Sequence, residues 1–159
     1  MLVFLIGFMG AGKTTLGNAL SQQLGWHFID LDKEIERQSG CTVPELFARS
    51  KEPAFRKMEQ QVLHTIVRQL QDPLSTIKNS VIACGGGTPC YKQNLALMKA
   101  SGFVIYLEVA PEILCKRLLD ATTAIRPMIP THDPEQLLPY IRHLLDQRRP
   151  VYEAAHWKC

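Results

Sequence analysis

The sequence contains no long hydrophobic run, no Cys-x-x-Cys pair and no block of basic residues, and each of these gaps excludes a class of protein. Because no stretch of about 18 apolar residues occurs, we expect no membrane-spanning helix and no membrane partner. The five cysteines are odd in number and widely spaced, which indicates free thiols in a reducing cytoplasm rather than a disulfide framework or a zinc site. The net charge of +3 is small and the basic residues are scattered, so we expect no nucleic-acid partner. The apolar N-terminus lacks the basic residues that precede the apolar part of a secretory signal, so we expect no such signal.

What the sequence does contain is an alternation of strand-like and helix-like segments. At 159 residues, 46% of them hydrophobic and 21% charged, the chain fits one globular domain with a sizeable core. Four short apolar segments have the pattern of buried strands: 2–6, 27–30, 80–84 and 102–107. Helical stretches separate them, and this order predicts an α/β fold in which a parallel sheet carries helices on both faces.

Residues Gly7 to Thr14 match the P-loop pattern of glycine, four free positions, glycine, lysine and Ser/Thr. They lie between a predicted strand and a predicted helix, where free backbone N–H groups and the helix dipole favour a phosphate. Lys13 is expected to reach the β- and γ-phosphates, and the Thr14 hydroxyl is expected to bind Mg²⁺. The alternative is a glycine turn followed by a surface lysine, and the strand-to-helix context argues against it. We therefore predict that the protein binds a nucleoside triphosphate.

Several helices have clear signals in the sequence. A helix over 15–24 carries three leucines on one face: Leu16, Leu20 and Leu24. Thr42 begins a capping box, and Pro53 opens a further helix that runs to about residue 70. The last helix is predicted over 134–149, where Pro150 would stop it.

The segment 120–133 has no helical periodicity and contains two prolines. A loop of this length is unusual in a compact domain, so we predict a mobile loop with a function. Arg126 in this loop would close over bound phosphates and neutralise charge in the transition state. The alternative is a solvated arginine, which is the common state of arginine in loops.

Two aspartates, Asp30 and Asp32, follow the second predicted strand. Ligands of open parallel sheets bind at the carboxyl ends of the strands, so both aspartates are expected near the P-loop. One carboxylate would act on Mg²⁺, and the other would accept a hydrogen bond or a proton from a substrate hydroxyl. The alternative is that they cap the helix that follows.

Three further motifs are candidate parts of an acceptor site. Arg56 and Glu59 are three residues apart on a predicted helix and can pair, either at the surface or in a site that binds a carboxylate. The triple glycine Gly85 to Gly87 follows a strand directly and permits the close approach of a ligand, although a loose turn is the alternative. Arg148 and Arg149 precede Pro150, and the favourable dipole at a helix C-terminus is a sufficient structural account of them.

Taken together, these residues resemble the shikimate kinase family. The resemblance covers nearly the whole chain through six motifs: Gly7 to Thr14, Asp30 to Asp32, Phe55 to Glu59, Gly85 to Gly87, Arg126-Pro127 and Arg148 to Tyr152. It implies transfer of the ATP γ-phosphoryl group to the 3-hydroxyl of shikimate, a step of aromatic amino-acid biosynthesis. It also implies a three-layer, P-loop NTPase-type α/β fold with a parallel sheet in the strand order 2-3-1-4-5, a helical substrate-binding insertion and a mobile lid.

The resemblance also implies roles for individual residues. Asp32 would hold the acceptor hydroxyls and is the candidate base, and Arg56 and Arg148 would clamp the carboxylate. The backbone of Gly85, Gly86 and Gly87 would contact the ring hydroxyls. Thr14 and Asp30 would serve Mg²⁺, and Lys13 and Arg126 would act on the transferring phosphoryl group. The implied nucleotide-binding set is Gly10, Ala11, Gly12, Lys13, Thr14, Thr15, Arg117 and Arg126.

The expected organisation is a single kinase domain over 1–159. Its core would comprise 1–30 and 78–119, with a substrate-binding insertion at about 31–62, a lid at about 120–133 and a C-terminal helix over 134–149. ATP and shikimate are the expected partners, Mg²⁺ is the expected cofactor, and a cytoplasmic monomer is the expected state.

Two features depart from the pattern of the family. Residues 121–125 lack the glycine or basic residues that often precede the Arg-Pro pair in family lids. Family chains also usually continue through a fifth strand, an adenine-contacting turn and a terminal helix, whereas here only 155–159 remain, as the start of that strand. We therefore expect the adenine to lack part of its usual wall, with Arg117 as the remaining stacking contact.

Two other functions stay open from the sequence. A kinase for another polyol acid, such as gluconate, would share the P-loop and the architecture, but the Asp-x-Asp, Phe-Arg-x-x-Glu and triple-glycine motifs argue against it. A nucleotide-binding protein without catalysis would be expected to have lost Lys13, Asp32 or Arg126, and all three are present.

Overall fold

A computed structural model describes residues 1–120, 129 and 133–159. Its five strands form one sheet in the order β2-β3-β1-β4-β5, and every neighbouring pair is parallel. The strands are β1 (Leu2–Ile6), β2 (His27–Asp30), β3 (Ser80–Ala83), β4 (Phe103–Tyr106) and β5 (Trp157–Lys158). The predicted fold class and strand order are therefore confirmed, and the short β5 is the strand whose start was expected after residue 155.

Helices connect the strands and flank the sheet. They are α1 (Lys13–Leu24), α2 (Leu31–Ser39), α3 (Val43–Gln71), α4 (Asn94–Ser101), α5 (Pro111–Asp120) and α6 (Pro134–Glu153), with a 3₁₀ turn over Thr88–Cys90. The Thr42 capping box is present at the start of α3. Lys51, with φ of 56°, interrupts α3 two residues before Pro53, so the predicted second helix begins after a kink in one long element.

The core is centred on β1 and β3, whose residues are buried throughout. This is the reason that their sequences are continuous apolar runs rather than alternating ones, because helices cover both faces of a parallel sheet. Phe4, Leu5 and Ile6 have no exposed surface, and β1 pairs with β3 on one side and with β4 on the other. The carboxyl end of β1, which leads into the P-loop, is thereby held at the centre of the sheet.

Helix α1 contacts the sheet through Gly17, and of its three leucines Leu20 is the one that is partly buried against the core. Leu16 and Leu24 are 40% and 45% exposed, whereas Gly17 and Ser21 are the buried residues of the helix. A Cβ on Gly17 would lie 2.4 Å from the Phe28 ring, so the helix approaches β2 closely through the glycine. The close approach of the helix backbone to the sheet selects a small residue at this position, and the spacing of the leucines does not indicate it.

The predicted end of α6 was wrong, because the helix runs past Pro150 to Glu153. Arg148 and Arg149 consequently lie inside the helix rather than at its end. Proline removes only one backbone N–H donor here, and Tyr152 beyond it is fully buried. The Tyr152 hydroxyl donates a 2.5 Å hydrogen bond to the carbonyl oxygen of Gly86, and its ring packs against Tyr106. These contacts offset the lost backbone bond.

Two expectations from composition concern the cysteines and the membrane. All five cysteines are free thiols. Among residues 1–120, 129 and 133–159, none of the helices has the length and apolar character needed to cross a bilayer.

Candidate active site

A cavity of about 1300 Å³ opens at the carboxyl ends of β1, β2 and β3. It is lined by residues 10–15 of the P-loop and α1, by the predicted acceptor residues and by Arg117. The acceptor residues among them are Asp30, Asp32, Arg56, Glu59, Gly85, Gly86, Gly87 and Arg148. The structure thus brings together the site residues predicted from the sequence, apart from Arg126, which lies outside the described residues along with nearly all of the expected lid.

The P-loop wraps around the start of α1 through three glycines with positive φ. Gly7, Gly10 and Gly12 have φ of 139°, 80° and 96°, and Gly12 is the N-cap residue of α1. Lys13 Nζ donates to the carbonyl oxygens of Gly7 and Phe8 at 2.9 and 2.8 Å, so the ammonium lies across the mouth of the loop. This leaves the N–H groups of the first turn of α1 directed at the cavity, which is the arrangement that binds a phosphate.

Arg117 connects α5 to the outer edge of the P-loop. Its Nη1 donates to the carbonyl oxygens of Gly10 and Ala11, at 3.1 and 3.3 Å. A guanidinium at this position adds positive charge beside the phosphate-binding backbone while it braces the loop.

Thr14 and Asp30 meet where the P-loop faces β2. The Thr14 hydroxyl donates to Oδ2 of Asp30 at 2.7 Å. The other carboxylate oxygen, Oδ1, accepts from the backbone N–H groups of Asp32 and Lys33 and caps α2. The capping alternative for this aspartate is therefore confirmed, and the cap also fixes the carboxylate beside the Thr14 hydroxyl.

Asp32 lies in the first turn of α2 among charges of both signs. Burial is the main reason that the pKa of its carboxyl rises to about 6. The carboxylates of Glu59 and Asp30 raise the pKa further, and Lys13 and Arg56 act in the opposite direction. The group is consequently ionised at neutral pH and has a pKa that suits a proton acceptor.

Arg56 and Glu59 form a buried ion pair rather than a surface one. Arg56 Nη1 donates to Oε2 of Glu59 at 2.8 Å, and Glu59 has no exposed surface. Glu52, at the rim, accepts from Nε of the same guanidinium at 3.3 Å. The pairing predicted from their spacing is confirmed, and burial makes it a strong determinant of where the guanidinium lies.

The triple glycine is packed so closely against charged side chains that larger residues would not fit. A Cβ on Gly85 would lie 2.6 Å from Oε1 of Glu59 and 3.2 Å from Oδ1 of Asp32. A Cβ on Gly87 would lie 2.5 Å from Cζ of Arg56. The glycines are therefore required for space beside charged side chains, and the segment is not a loose turn; the approach of a ligand to it stays a prediction.

Gly86 lies between the two halves of the cavity. A Cβ there would be 3.2 Å from the backbone nitrogen of Met9 in the P-loop and 3.4 Å from Nη1 of Arg148. Its carbonyl oxygen accepts the hydrogen bond from Tyr152. The glycine segment is thus fixed between the phosphate-binding loop and α6.

Arg148 projects from α6 into the cavity and is only 8% exposed. Its guanidinium lies over the Phe8 ring, 5.7 Å from the centroid. Nη1 is buried and makes no hydrogen bond within the described part of the chain. A buried guanidinium nitrogen of this kind is costly unless an acceptor occupies the cavity, so this corner of the site is suited to an anion.

Sequence reasoning missed several residues that shape the site. Phe8 lies beneath Arg148, Thr88 donates to Glu59, and the buried Cys84 lines the cavity floor with a pKa that burial raises strongly. Phe47 also lines the cavity and packs on Phe55, with ring centroids 4.4 Å apart. Thr88 could have been identified from the sequence because it follows the triple glycine directly. Phe8, Cys84 and Phe47 are apolar residues without a sequence pattern that marks them as part of a site.

No group of three or more His, Cys, Asp or Glu side chains that could hold a metal occurs within the described residues. The oxygen pair of Thr14 and Asp30 is the feature of the cavity that matches a hard cation. Mg²⁺ commonly takes only one or two protein ligands together with substrate phosphates and water, so such a pair beside a P-loop fits its chemistry.

Comparisons with known proteins agree with this geometry. The sequence profile of the shikimate kinase family matches residues 9–159. The shikimate kinase of Parasynechococcus marenigrum is 41% identical over 153 residues, which cover 96% of this chain and 73% of that protein. The crystal structure of shikimate kinase from Bacteroides thetaiotaomicron has a TM-score of 0.88 at 37% identity and covers 99% of this chain and 85% of that one.

A further solved structure, shikimate kinase from Acinetobacter baumannii in complex with shikimate, has a TM-score of 0.84 at 36% identity and covers 99% of this chain and 82% of that one. A gluconokinase from Sinorhizobium meliloti has a TM-score of only 0.57 at 16% identity, over 98% of this chain and 79% of that one, so that likeness extends to the fold alone. The match to one family spans nearly all of the sequence, including both halves of the cavity. The chain therefore belongs to the shikimate kinase family.

Proposed function

We propose that this protein transfers the γ-phosphoryl group of ATP to the 3-hydroxyl of shikimate, giving shikimate 3-phosphate and ADP in aromatic amino-acid biosynthesis. The observation that carries the proposal is that a P-loop and two largely buried arginines, Arg56 and Arg148, line one cavity. The family membership and the shikimate complex of the Acinetobacter baumannii relative support the same reaction.

In this proposal the acceptor binds between α3, α6 and the triple glycine. Arg56 and Arg148 bind the shikimate carboxylate, and the buried Nη1 of Arg148, which has no hydrogen-bond partner among the described residues, supplies one of the donors. Asp32 accepts a hydrogen bond from the ring hydroxyls, and the backbone of Gly85, Gly86 and Gly87 contacts them as well. The positions of these groups at the floor of the cavity would direct the 3-hydroxyl towards the P-loop.

The donor binds on the opposite wall. Backbone N–H groups of Gly10 to Thr15 hold the phosphates, and Lys13 moves from the loop carbonyls to the β- and γ-phosphates. Arg117 lies at the side of the loop where the rest of the nucleotide would extend. Arg126, from the expected lid, would complete the cationic surround of the transferring group.

We propose Mg²⁺ as the metal, held by the Thr14 hydroxyl and, directly or through water, by Asp30. When bound, Mg²⁺ neutralises charge on the β- and γ-phosphates. Asp30 is already anchored by the backbone of α2, so its carboxylate needs little rearrangement to serve this role.

The chemical step is an in-line displacement at the γ-phosphorus. The shikimate 3-oxygen forms a bond to phosphorus while the bond to the oxygen that bridges to the β-phosphate breaks, and ADP leaves. Asp32 orients the hydroxyl and accepts its proton, for which a pKa of about 6 is suitable. Lys13 and Arg126 stabilise the charge that spreads over the phosphoryl oxygens.

We further propose the organisation expected from the sequence: one kinase domain with an acceptor-binding insertion at about 31–62 and a lid at about 120–133. A monomer is supported by the cavity, since one chain supplies both of its walls. A cytoplasmic location is supported by the five free cysteines, because thiols persist in a reducing compartment.

The decisive experiment is a coupled assay of ADP formation with this chain, with and without shikimate and Mg²⁺. We expect ADP to form only when both are present. Turnover with gluconate but not with shikimate would reassign the acceptor, and ATP binding without turnover on either would indicate a non-catalytic nucleotide-binding protein. As a control within the protein, Arg56→Ala should abolish shikimate phosphorylation while ATP binding is retained.

A further inference from the structure

Thr88 begins a buried chain of hydrogen bonds that leads to Arg56. Its hydroxyl donates to Oε1 of Glu59 at 2.5 Å, and the Arg56 guanidinium donates to Oε2 at 2.8 Å. Thr88 and Glu59 both have no exposed surface. Each oxygen of the Glu59 carboxylate therefore has its own donor, one from the 3₁₀ turn and one from the guanidinium.

The direction of the Thr88 hydroxyl is fixed by the backbone around it. The Thr88 N–H donates to the carbonyl oxygen of Gly85 at 3.1 Å. Its own carbonyl oxygen accepts from the side chain of Asn94, which is fully buried at the start of α4, at 2.9 Å. The position of the hydroxyl is thus set by the triple-glycine segment on one side and by α4 on the other.

The Arg56 guanidinium donates hydrogen bonds to two carboxylates, those of Glu59 and Glu52. Glu59 lies inside the protein, whereas the side chain of Glu52 at the rim is 47% exposed and accepts from Nε at 3.3 Å. A buried carboxylate is a strong acceptor only while both of its oxygens are satisfied. Loss of the Thr88 hydroxyl would leave Oε1 of Glu59 without that donor, weaken the inner pair and favour the outer one.

We infer that Thr88 is a positioning residue for acceptor binding: its hydroxyl fixes Glu59, and through Glu59 it holds the Arg56 guanidinium against Gly87, facing the cavity. This inference rests on the proposed function, in which Arg56 binds the carboxylate of shikimate. Thr88 itself touches neither substrate in this arrangement and acts only through the side chain that it orients.

The kinetic test uses three variants. Thr88→Val replaces the hydroxyl with a methyl group of similar shape, and we expect the KM for shikimate to rise about tenfold while kcat and the KM for ATP change by less than about twofold. Thr88→Ser keeps the hydroxyl and should retain the wild-type KM. Thr65→Val, which removes a hydroxyl that bonds within α3 to the carbonyl oxygen of Gln61, is the matched control and should be neutral.

A Thr88→Val enzyme with the wild-type KM for shikimate would overturn the inference. So would a Thr88→Ser enzyme as impaired as Thr88→Val, since that would assign the effect to packing of the methyl group. Thermal unfolding of each variant shows whether it is folded before its kinetics are compared.

A second measurement does not depend on turnover. The ¹⁵N relaxation of the Arg56 Nε–H group, assigned with Arg56→Lys, should show an ordered side chain in the wild type and a more mobile one in Thr88→Val. Equal order in both proteins would contradict the inference even if kinetics were altered. If shikimate is not phosphorylated by the wild type but Arg56 loosens in Thr88→Val, the proposed acceptor is wrong while the positioning role stands.

Discussion

The guanidinium of Arg56 rests on the backbone of Gly87 so closely that a Cβ on this glycine would lie only 2.5 Å from Cζ of the arginine. No positive φ is involved, so the glycine is required here for space and not for backbone freedom. The proposed carboxylate-binding cation is thereby held by packing from below and by Glu59 from the side.

Gly87→Ala should therefore displace Arg56 without any change in its charge. We expect the KM for shikimate to rise at least about tenfold, with a much smaller effect on the KM for ATP, measured in the coupled assay. Gly25→Ala is a useful control because its positive φ strains the backbone at a place where nothing lies within 4 Å of the new Cβ. Equal kinetic effects of the two substitutions would show that general destabilisation, and not the contact with Arg56, is responsible.

Arg148 and its neighbour Arg149 provide a matched pair. Arg148 is 8% exposed and lines the cavity, whereas the Arg149 side chain is 45% exposed and lies 3.7 Å from Asp146 in an i, i+3 ion pair. Arg148→Met keeps most of the side-chain volume but removes the charge, and we expect the KM for shikimate to rise about 100-fold. Arg149→Met should leave the kinetics nearly unchanged. Similar kinetics for both variants would contradict the assignment of Arg148 to the carboxylate.

Asp30 has two functions that substitutions can separate. Asparagine is a good N-cap residue but lacks the charge, so Asp30→Asn should preserve stability while more Mg²⁺ is needed for half-maximal activity. Asp30→Ala should show the same metal defect and also lose about 1 kcal/mol of unfolding free energy, measured by urea denaturation, because α2 loses its cap. An unchanged Mg²⁺ dependence in Asp30→Asn would remove this carboxylate from the metal site. Chelation of Mg²⁺ should abolish wild-type activity.

The raised pKa of Asp32 can be observed directly. In the free enzyme, the ¹³C signal of its side-chain carboxyl, assigned with Asp32→Asn, should titrate with a midpoint near 6, well above that of an exposed aspartate. The values of kcat/KM should fall as the pH decreases through the same range, because the proton-accepting carboxylate is lost. A midpoint near 4 would show that the carboxyl is better solvated than the structure indicates.

Asp32→Asn should stabilise the protein as it removes activity. Since the pKa of Asp32 is higher in the folded state than in the unfolded chain, the folded state binds the proton more tightly, and ionisation opposes folding. The free energy of unfolding of the variant should therefore exceed that of the wild type most above pH 6, by about 1 to 3 kcal/mol. The difference should decrease to near zero below pH 4. Thermal unfolding at pH 7.5 and pH 4 measures the difference. A variant less stable than the wild type at pH 7.5 would contradict this account.

The sheet could be predicted from the sequence because its signals are local. Buried parallel strands are continuous apolar runs, and the predicted bounds of β2 match the structure, while those of β3 and β4 differ by a residue at one or both ends. The P-loop and the Thr42 capping box were equally readable, since each is a pattern of neighbouring residues with its own backbone geometry. The strand order came from the family resemblance and not from such patterns.

Packing partners could not be predicted in this way. The spacing of the leucines predicted helix α1, but it did not indicate that Gly17 lies on Phe28, because only the approach of helix and sheet reveals that a small residue is required there. Pro150 indicated the end of α6, but the helix continues to Glu153, where contacts of Tyr152 with residues distant in sequence stabilise its last turn. In the site, Thr88 and Glu59 are 29 residues apart and meet only in the folded chain. These are tertiary effects that override local propensity.

The hydrogen bond from Tyr152 to Gly86 also bears on the order in which the protein can assemble. The P-loop, α1 and the first three strands of the sheet are complete within the first 83 residues of the chain. Arg148 and the anchor for the glycine segment come only with the last turns of α6. During synthesis, Asp32, Arg56 and the glycine segment can therefore be made long before Arg148, and a nascent chain interrupted ahead of residue 148 would lack one of the two proposed carboxylate-binding cations as well as the anchor of the glycine segment.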